Sequence, residues 1–168
     1  MSHLLAVRAA VLKFAGAPVS RSGMREKPMP DKVVITYVSW QGGDRRKLVE
    51  GDHDAMVEAL EELVQRKNTG KGEVEWELNV LQAEEMTKDE QLDVIARTTF
   101  LLGVHGNGLT HTLFMPPTKL SAVIEVFYPG GFAHDYYWTA RALGISHFAV
   151  WNDTCVWFSA VLALSDPS

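Results

Sequence analysis

A chain of 168 residues suits one domain, and with 46% hydrophobic residues it can bury a substantial core. A formal net charge of −5 excludes broad electrostatic attraction to nucleic acid, so any phosphate must be held by local geometry and a few placed arginines. The lone Cys155 excludes an intrachain disulfide and a CxxC metal site, and the opening MSHLLAVRAAVLKFAGAP, broken by Arg8 and Lys13, fits neither a membrane span nor a signal peptide.

Leu4, Leu5, Val7, Val11, Leu12 and Phe14 suggest a short helix ending near Gly16, followed by a polar, proline-bearing linker from Ser20 to Asp31. The β-branched run Val33–Val38, VVITYV, reads as a first central strand. It runs into a polar glycine loop, Ser39-Trp40-Gln41-Gly42-Gly43-Asp44-Arg45-Arg46. Two guanidiniums at a strand's carboxyl end suit bidentate contact with a diphosphate, and they equally suit a solvated surface. From Asp52 to Arg66 the apolar set Met56, Val57, Leu60, Leu63 and Val64 recurs at helical spacing, with glutamates opposite. Trp76, Leu78 and Val80 then alternate within a strand spanning Val74 to Leu81. Thr87 and Glu90 form a capping box for a short helix carrying Leu92, Val94, Ile95 and Ala96.

The stretch Phe100–Met115, FLLGVHGNGLTHTLFM, concentrates the chemistry. Phe100, Leu101, Leu102 and Val104 read as a strand buried on both faces. His105-Gly106-Asn107-Gly108 breaks it, and Leu109, Leu113 and Phe114 resume at helical spacing. A strand, a glycine turn and a helix start in that order make an anion site, because backbone N–H groups and the positive end of the dipole face a phosphate. An ordinary tight connection has the same pattern. GVHGNG lacks the third glycine of GxGxxG, no Gly-Lys-Ser/Thr follows to make a P-loop, and Asn107 stands where a nucleophile elbow carries serine.

Pro116-Pro117 stops that helix, and Ala122–Phe127, AVIEVF, makes the next strand with Glu125 among apolar neighbours. This carboxylate is read either as a satisfied polar group at a sheet end or as an acceptor for ribose hydroxyls. Tyr128-Pro129-Gly130-Gly131 turns into a helix expected over Phe132–Leu143 and closed by Gly144, and His147–Trp151 is the last strand. The alternation implies an α/β fold, a Rossmann-like parallel sheet of about five strands with helices on both faces. Its partition is a helical lead-in and linker over 1–31, a Rossmann-like domain over 32–153, and a tail over 154–168. The tail, from Trp157 to Leu164, is apolar enough to be expected to dock on something.

Among the histidines, His105 and His111 lie six residues apart with no carboxylate at a ligand offset, so no metal is expected. His53 lies between Asp52 and Asp54, where acidic residues suit a helix start, and Glu84-Glu85 reads as a solvated loop. Tyr136, Tyr137 and Trp138 read as core or interface. His105 stands apart. Beside the glycines, its imidazole has reach to donate to a phosphate or bind a sugar hydroxyl, and a structural turn role is the alternative.

GVHGNGLTHTLFMPP followed by AVIEVF, and preceded by ITYVSWQGGDRR and WELNVLQAEEMTKDEQ, resembles the carboxyl-terminal half of glycosyltransferase family 61 over roughly Val33 to Asp153. The resemblance implies an inverting, metal-independent transferase of the GT-B type, with two facing Rossmann-like domains of which the second holds the nucleotide sugar. By that resemblance Gly106, Asn107, Gly108 and Leu109 match the glycine turn near the donor, Ser39, Arg45 and Arg46 the loop after the first strand, and Glu125 the acidic strand end. The donors implied are UDP-linked N-acetylglucosamine or xylose, the acceptor is a protein or glycan hydroxyl, and the setting is the secretory pathway. No cofactor is implied, since the UDP-sugar is a substrate.

Two departures from the family pattern matter. Ser39-Trp40 stands where the family often carries Ser-Arg, so the grip on the diphosphate is expected to fall to Arg45 or Arg46. The resemblance also covers one domain of two. In such enzymes the other half contributes acceptor contacts, the base is open between the two halves, and no base is assigned here. A catalytically inactive remnant acting as a nucleotide-binding or interaction module is the rival reading, and a dehydrogenase is a weaker third.

Overall fold

A computed structural model describes residues 2–16, 27–39, 47–70, 72, 74–151 and 154–157. The elements in chain order are α1 (Ser2–Phe14), β1 (Lys32–Ser39), α2 (Glu50–Thr69), β2 (Glu75–Gln82), α3 (Lys88–Ile95), β3 (Phe100–Val104), a 3-10 helix (Asn107–Phe114), β4 (Ala122–Phe127), α4 (Asp135–Leu143), β5 (Ser146–Trp151) and β6 (Thr154–Trp157). One six-stranded sheet has the order β2-β1-β3-β4-β5-β6. The first five strands in that order pair in parallel and β6 returns antiparallel on β5.

Near-continuous apolar strands are what a doubly covered parallel sheet requires. Val33, Val34, Ile35, Tyr37 and Val38 of β1 are all buried, as are Leu101 and Leu102 of β3 and Ala122 and Val123 of β4. Chain order and strand order reverse direction at β1, which sends β2 to one side and β3 to the other. Right-handed crossovers therefore set α2 on one face and α3, the 3-10 helix and α4 on the other. The main core lies on the latter face, where Val38, Leu101 and Val123 of the sheet meet Leu109, Met115, Ala140 and Leu143. The apolar stripe of α2 lies along β2 at the sheet edge, and none of its residues is fully buried.

Local chemistry sets the ends. Thr87 Oγ1 accepts from Glu90 N–H at 3.3 Å while Glu90 Oε2 accepts from Thr87 N–H at 2.8 Å, closing the capping box of α3. Gly144 ends α4 at φ 69° and ψ 27°, a left-handed position open to glycine. Arg8 of α1 donates from Nε to Leu113 O at 2.9 Å and from its terminal nitrogen to Met115 O, so α1 docks on the carboxyl end of the 3-10 helix. Burial lowers the pKa of that guanidinium from its usual value.

Three features differ from the sequence reading. The helix expected from Phe132 begins at Asp135, whose carboxylate favours a helix start. The helix expected after the glycine turn is 3-10. Thr112 Oγ1 donates to Leu109 O at 2.7 Å and His111 Nδ1 lies 2.6 Å from Gly108 O, so side chains engage carbonyls three residues back. The third is β6: Thr154–Trp157 adds a strand to the sheet, while Phe158–Leu164 of the apolar tail lie outside the described residues. No helix of the described residues is long and apolar enough to cross a membrane.

Replacing Thr87 by Ala is expected to destabilise the protein by about 1 kcal/mol, through loss of the cap hydroxyl. The Thr87 hydroxyl, and after it the Thr87 N–H, holds the Glu90 carboxyl below its ordinary range. A lowered carboxyl pKa contributes stability while the group is ionised and loses it as pH falls through the lowered value. Thermal melts should therefore show the gap between wild type and Thr87→Ala at neutral pH, and show it narrowing below the ordinary glutamate range.

Candidate functional site

In open α/β sheets ligands bind at the carboxyl ends of strands where the order reverses, here between β1 and β3. Ser39 is the last residue of β1, and register pairs Val38 with Gly103, so Ser39 lies beside the exit of β3 into His105-Gly106. Ser39 is 0% exposed, and its hydroxyl has no hydrogen-bond partner among the described residues.

The glycine turn is built from below. Leu109, 0% exposed, seats its side chain under Gly103, where a Cβ would come within 3.2 Å of Leu109 Cδ2. Gly106 adopts φ 156° and ψ −175°, a conformation essentially restricted to glycine. His105 N–H donates to Val126 O at 2.8 Å and Leu109 N–H to Gly106 O at 3.0 Å. The N–H groups of Gly106, Asn107 and Gly108 donate to nothing among the described residues. Leu109 therefore anchors the turn instead of offering an amide to a ligand, a correction to its place in the donor set. Gly106, Asn107 and Gly108 keep the free amides that the sequence reading assigned to them.

Behind the turn lies a cluster of three titratable side chains. Alternation along a strand puts positions 103 and 105, 125, and 147 and 149 on one face of β3, β4 and β5. Gly103 and Ala149 flank Glu125 in register and leave lateral room on both sides. His105 Nδ1 lies 2.5 Å from Glu125 Oε1, and His147 Nε2 lies 2.7 Å from Glu125 Oε2. A carboxylate accepts, so both imidazoles donate through those atoms. Glu125 is 0% exposed and His147 2%, while His105 keeps 20% of its side chain exposed. The His105 ring stacks on Phe127 at 5.1 Å and meets the edge of Tyr136 at 5.8 Å.

This arrangement changes the reading of Glu125. A carboxylate without exposed surface, with both oxygens held by imidazoles, does not reach ribose hydroxyls directly. The nitrogens meet the oxygens at hydrogen-bond distance with no space for an ion between them, and among the described residues no group of three or more His, Cys, Asp or Glu is arranged to hold a metal.

The remaining candidates separate. His111 lies behind the turn, with Nδ1 against Gly108 O at 2.6 Å and Nε2 against Gln91 Oε1 at 3.0 Å. Gln91 is oriented by donating its amide to Ala83 O and Met86 O at 2.7 and 3.0 Å, so α3 braces the turn. His53 pairs with Tyr37 at 3.0 Å on the α2 face, apart from the cluster. Trp40, Arg45 and Arg46 lie outside the described residues. An open groove of about 520 Å³ lined by Val33, Gly70, Val74, Trp76 and Leu120 sits at the amino-terminal edge of the sheet, opposite the switch point. Sequence reasoning missed His147 and Gln91. A signal for His147 was present: like Glu125, it is a polar residue inside an apolar strand run.

Gly106→Ala should strain the turn by about 1–3 kcal/mol, because a Cβ is disfavoured at that backbone conformation. Chemical denaturation should show the loss, with secondary structure unchanged by circular dichroism.

No curated protein matches the chain. The family model described as Glycosyltransferase 61 matches residues 15–124. That span contains Ser39, the free amides of Gly106 to Gly108 and His105, and it ends one residue before Glu125. The switch-point architecture and this match lead to one conclusion: the chain belongs to glycosyltransferase family 61.

Proposed function

We propose that the carboxyl edge between β1 and β3 binds the diphosphate of a UDP-sugar, and that in the active enzyme the sugar passes to a protein or glycan hydroxyl with inversion at the anomeric carbon. The observation that carries this reading is that the amides of Gly106, Asn107 and Gly108, without partners among the described residues, lie at the carboxyl end of β3, next to the end of β1 where Ser39 stands. An anion needs several donors converging from rigid backbone, and these are rigid because Leu109 is fully buried beneath them. Negative charge growing on the departing diphosphate is stabilised by donors that are already oriented. His105 adds its Nε2, and Arg45 and Arg46 follow the same strand that ends in Ser39. N-acetylglucosamine or xylose is the sugar proposed, no metal takes part, and the secretory pathway is the setting proposed for the enzyme.

A reading as a module that binds the nucleotide without transferring sugar rests on a separate observation. This chain's own sheet offers the amides of Gly106 to Gly108 for a nucleotide, and no group in it is assigned as the catalytic base. Donor hydrolysis or transfer, measured on the same sample, separates binding from catalysis.

Calorimetry of the full chain with UDP in EDTA should show binding, and Ser39→Ala should weaken it about fivefold through loss of one hydrogen bond. Absence of binding by folded protein, or binding that requires added manganese, would overturn the proposal.

A further inference from the structure

We propose that Glu125 is a positioning residue for the donor diphosphate: held at one oxygen by His147, it orients His105 so that the doubly protonated imidazole presents Nε2–H to a phosphate oxygen. This rests on the donor-site reading above and deepens it.

Glu125 has both oxygens engaged by imidazoles, so it acts on a ligand through them and not directly. It acts on His105 through a 2.5 Å contact that commits Nδ1–H to Oε1. Nε2 is then the ring's remaining polar atom, and it has no partner among the described residues. Stacking on Phe127 and the edge contact with Tyr136 hold the plane of the ring. His147 donates to the other carboxylate oxygen at 2.7 Å, so the carboxylate cannot swing away from His105 without leaving a buried donor unsatisfied.

Placement selects between the two roles open to Nε2. His105 directly precedes the free amides of Gly106, Asn107 and Gly108, so it stands on the side of the diphosphate. Inversion brings the acceptor hydroxyl to the opposite face of the anomeric carbon, out of reach of His105 as a base. A ring protonated on both nitrogens donates to Glu125 and to the phosphate at once, and its charge is balanced by the carboxylate within the cluster. No proton leaves His105 during transfer.

The test is a double-mutant cycle on the full chain with UDP as probe, read by calorimetry in EDTA. Glu125→Gln, which preserves shape, and His105→Ala should each weaken UDP binding about tenfold or more. The double variant should be no weaker than His105→Ala alone. His147→Leu should weaken binding several-fold when His105 is present and not in the His105→Ala background. Ring-nitrogen NMR of UDP-bound wild type should show protons on both His105 nitrogens. Additive losses in the cycle, or a His105 ring lacking the Nδ1 proton, would overturn the positioning role while leaving the donor site standing. Folded wild type that does not bind UDP would overturn the donor site and the proposal with it.

Discussion

The structure depends on one buried carboxylate. Glu125 lies on β4, inside the sheet and with no exposed surface, where an isolated anion would cost several kcal/mol after relaxation. Two imidazoles make it tolerable by donating one hydrogen bond to each oxygen. Because the donors sit on β5 and just beyond β3, the carboxylate ties three parallel strands together, from the amino end of β5 to the carboxyl end of β3. Register makes this possible: Gly103 and Ala149, the small neighbours of Glu125, leave the space that the two rings cross.

The same cluster sets the geometry of the turn. His105 is fixed by its ring to Glu125 and by its backbone N–H to Val126 O, so Gly106 begins from a rigid point. Leu109 anchors the other end in the core, and α3 braces the middle through Gln91 and His111. The loop is thus held at both ends and behind, and what it leaves unengaged is the row of amides from Gly106 to Gly108. Binding donors that need no reordering lose less entropy on contact with a ligand.

The 3-10 helix extends the same logic. A tighter helix brings Thr112 and His111 over carbonyls three residues back, and Arg8 reaches across from α1 to carbonyls near its end. Polar groups that the irregular winding leaves exposed to the core are thereby satisfied. Packing of α1, α3 and α4 around this short element concentrates the main core beneath the site, while α2 at the opposite face and edge buries none of its residues fully.

Hydrophobic periodicity and turn chemistry determined the alternating architecture, since a strand buried on both faces, a capping box at Thr87 and a left-handed stop at Gly144 are local statements that each segment makes for itself. The glycine turn was legible for the same reason: His105, Gly106, Asn107 and Gly108 are adjacent in the chain. Glu125 and His147 stood out as polar residues in apolar runs, but what they do depends on register between strands twenty or more residues apart, and only tertiary structure sets it. The winding of the helix after the turn was likewise decided by contacts from α1 and by its own side chains on its carbonyls. Sequence thus specified where the glycine turn would form, and the sheet decided which side chains stand behind it, because hydrogen-bond partners across strands are chosen by register and burial rather than by spacing along the chain.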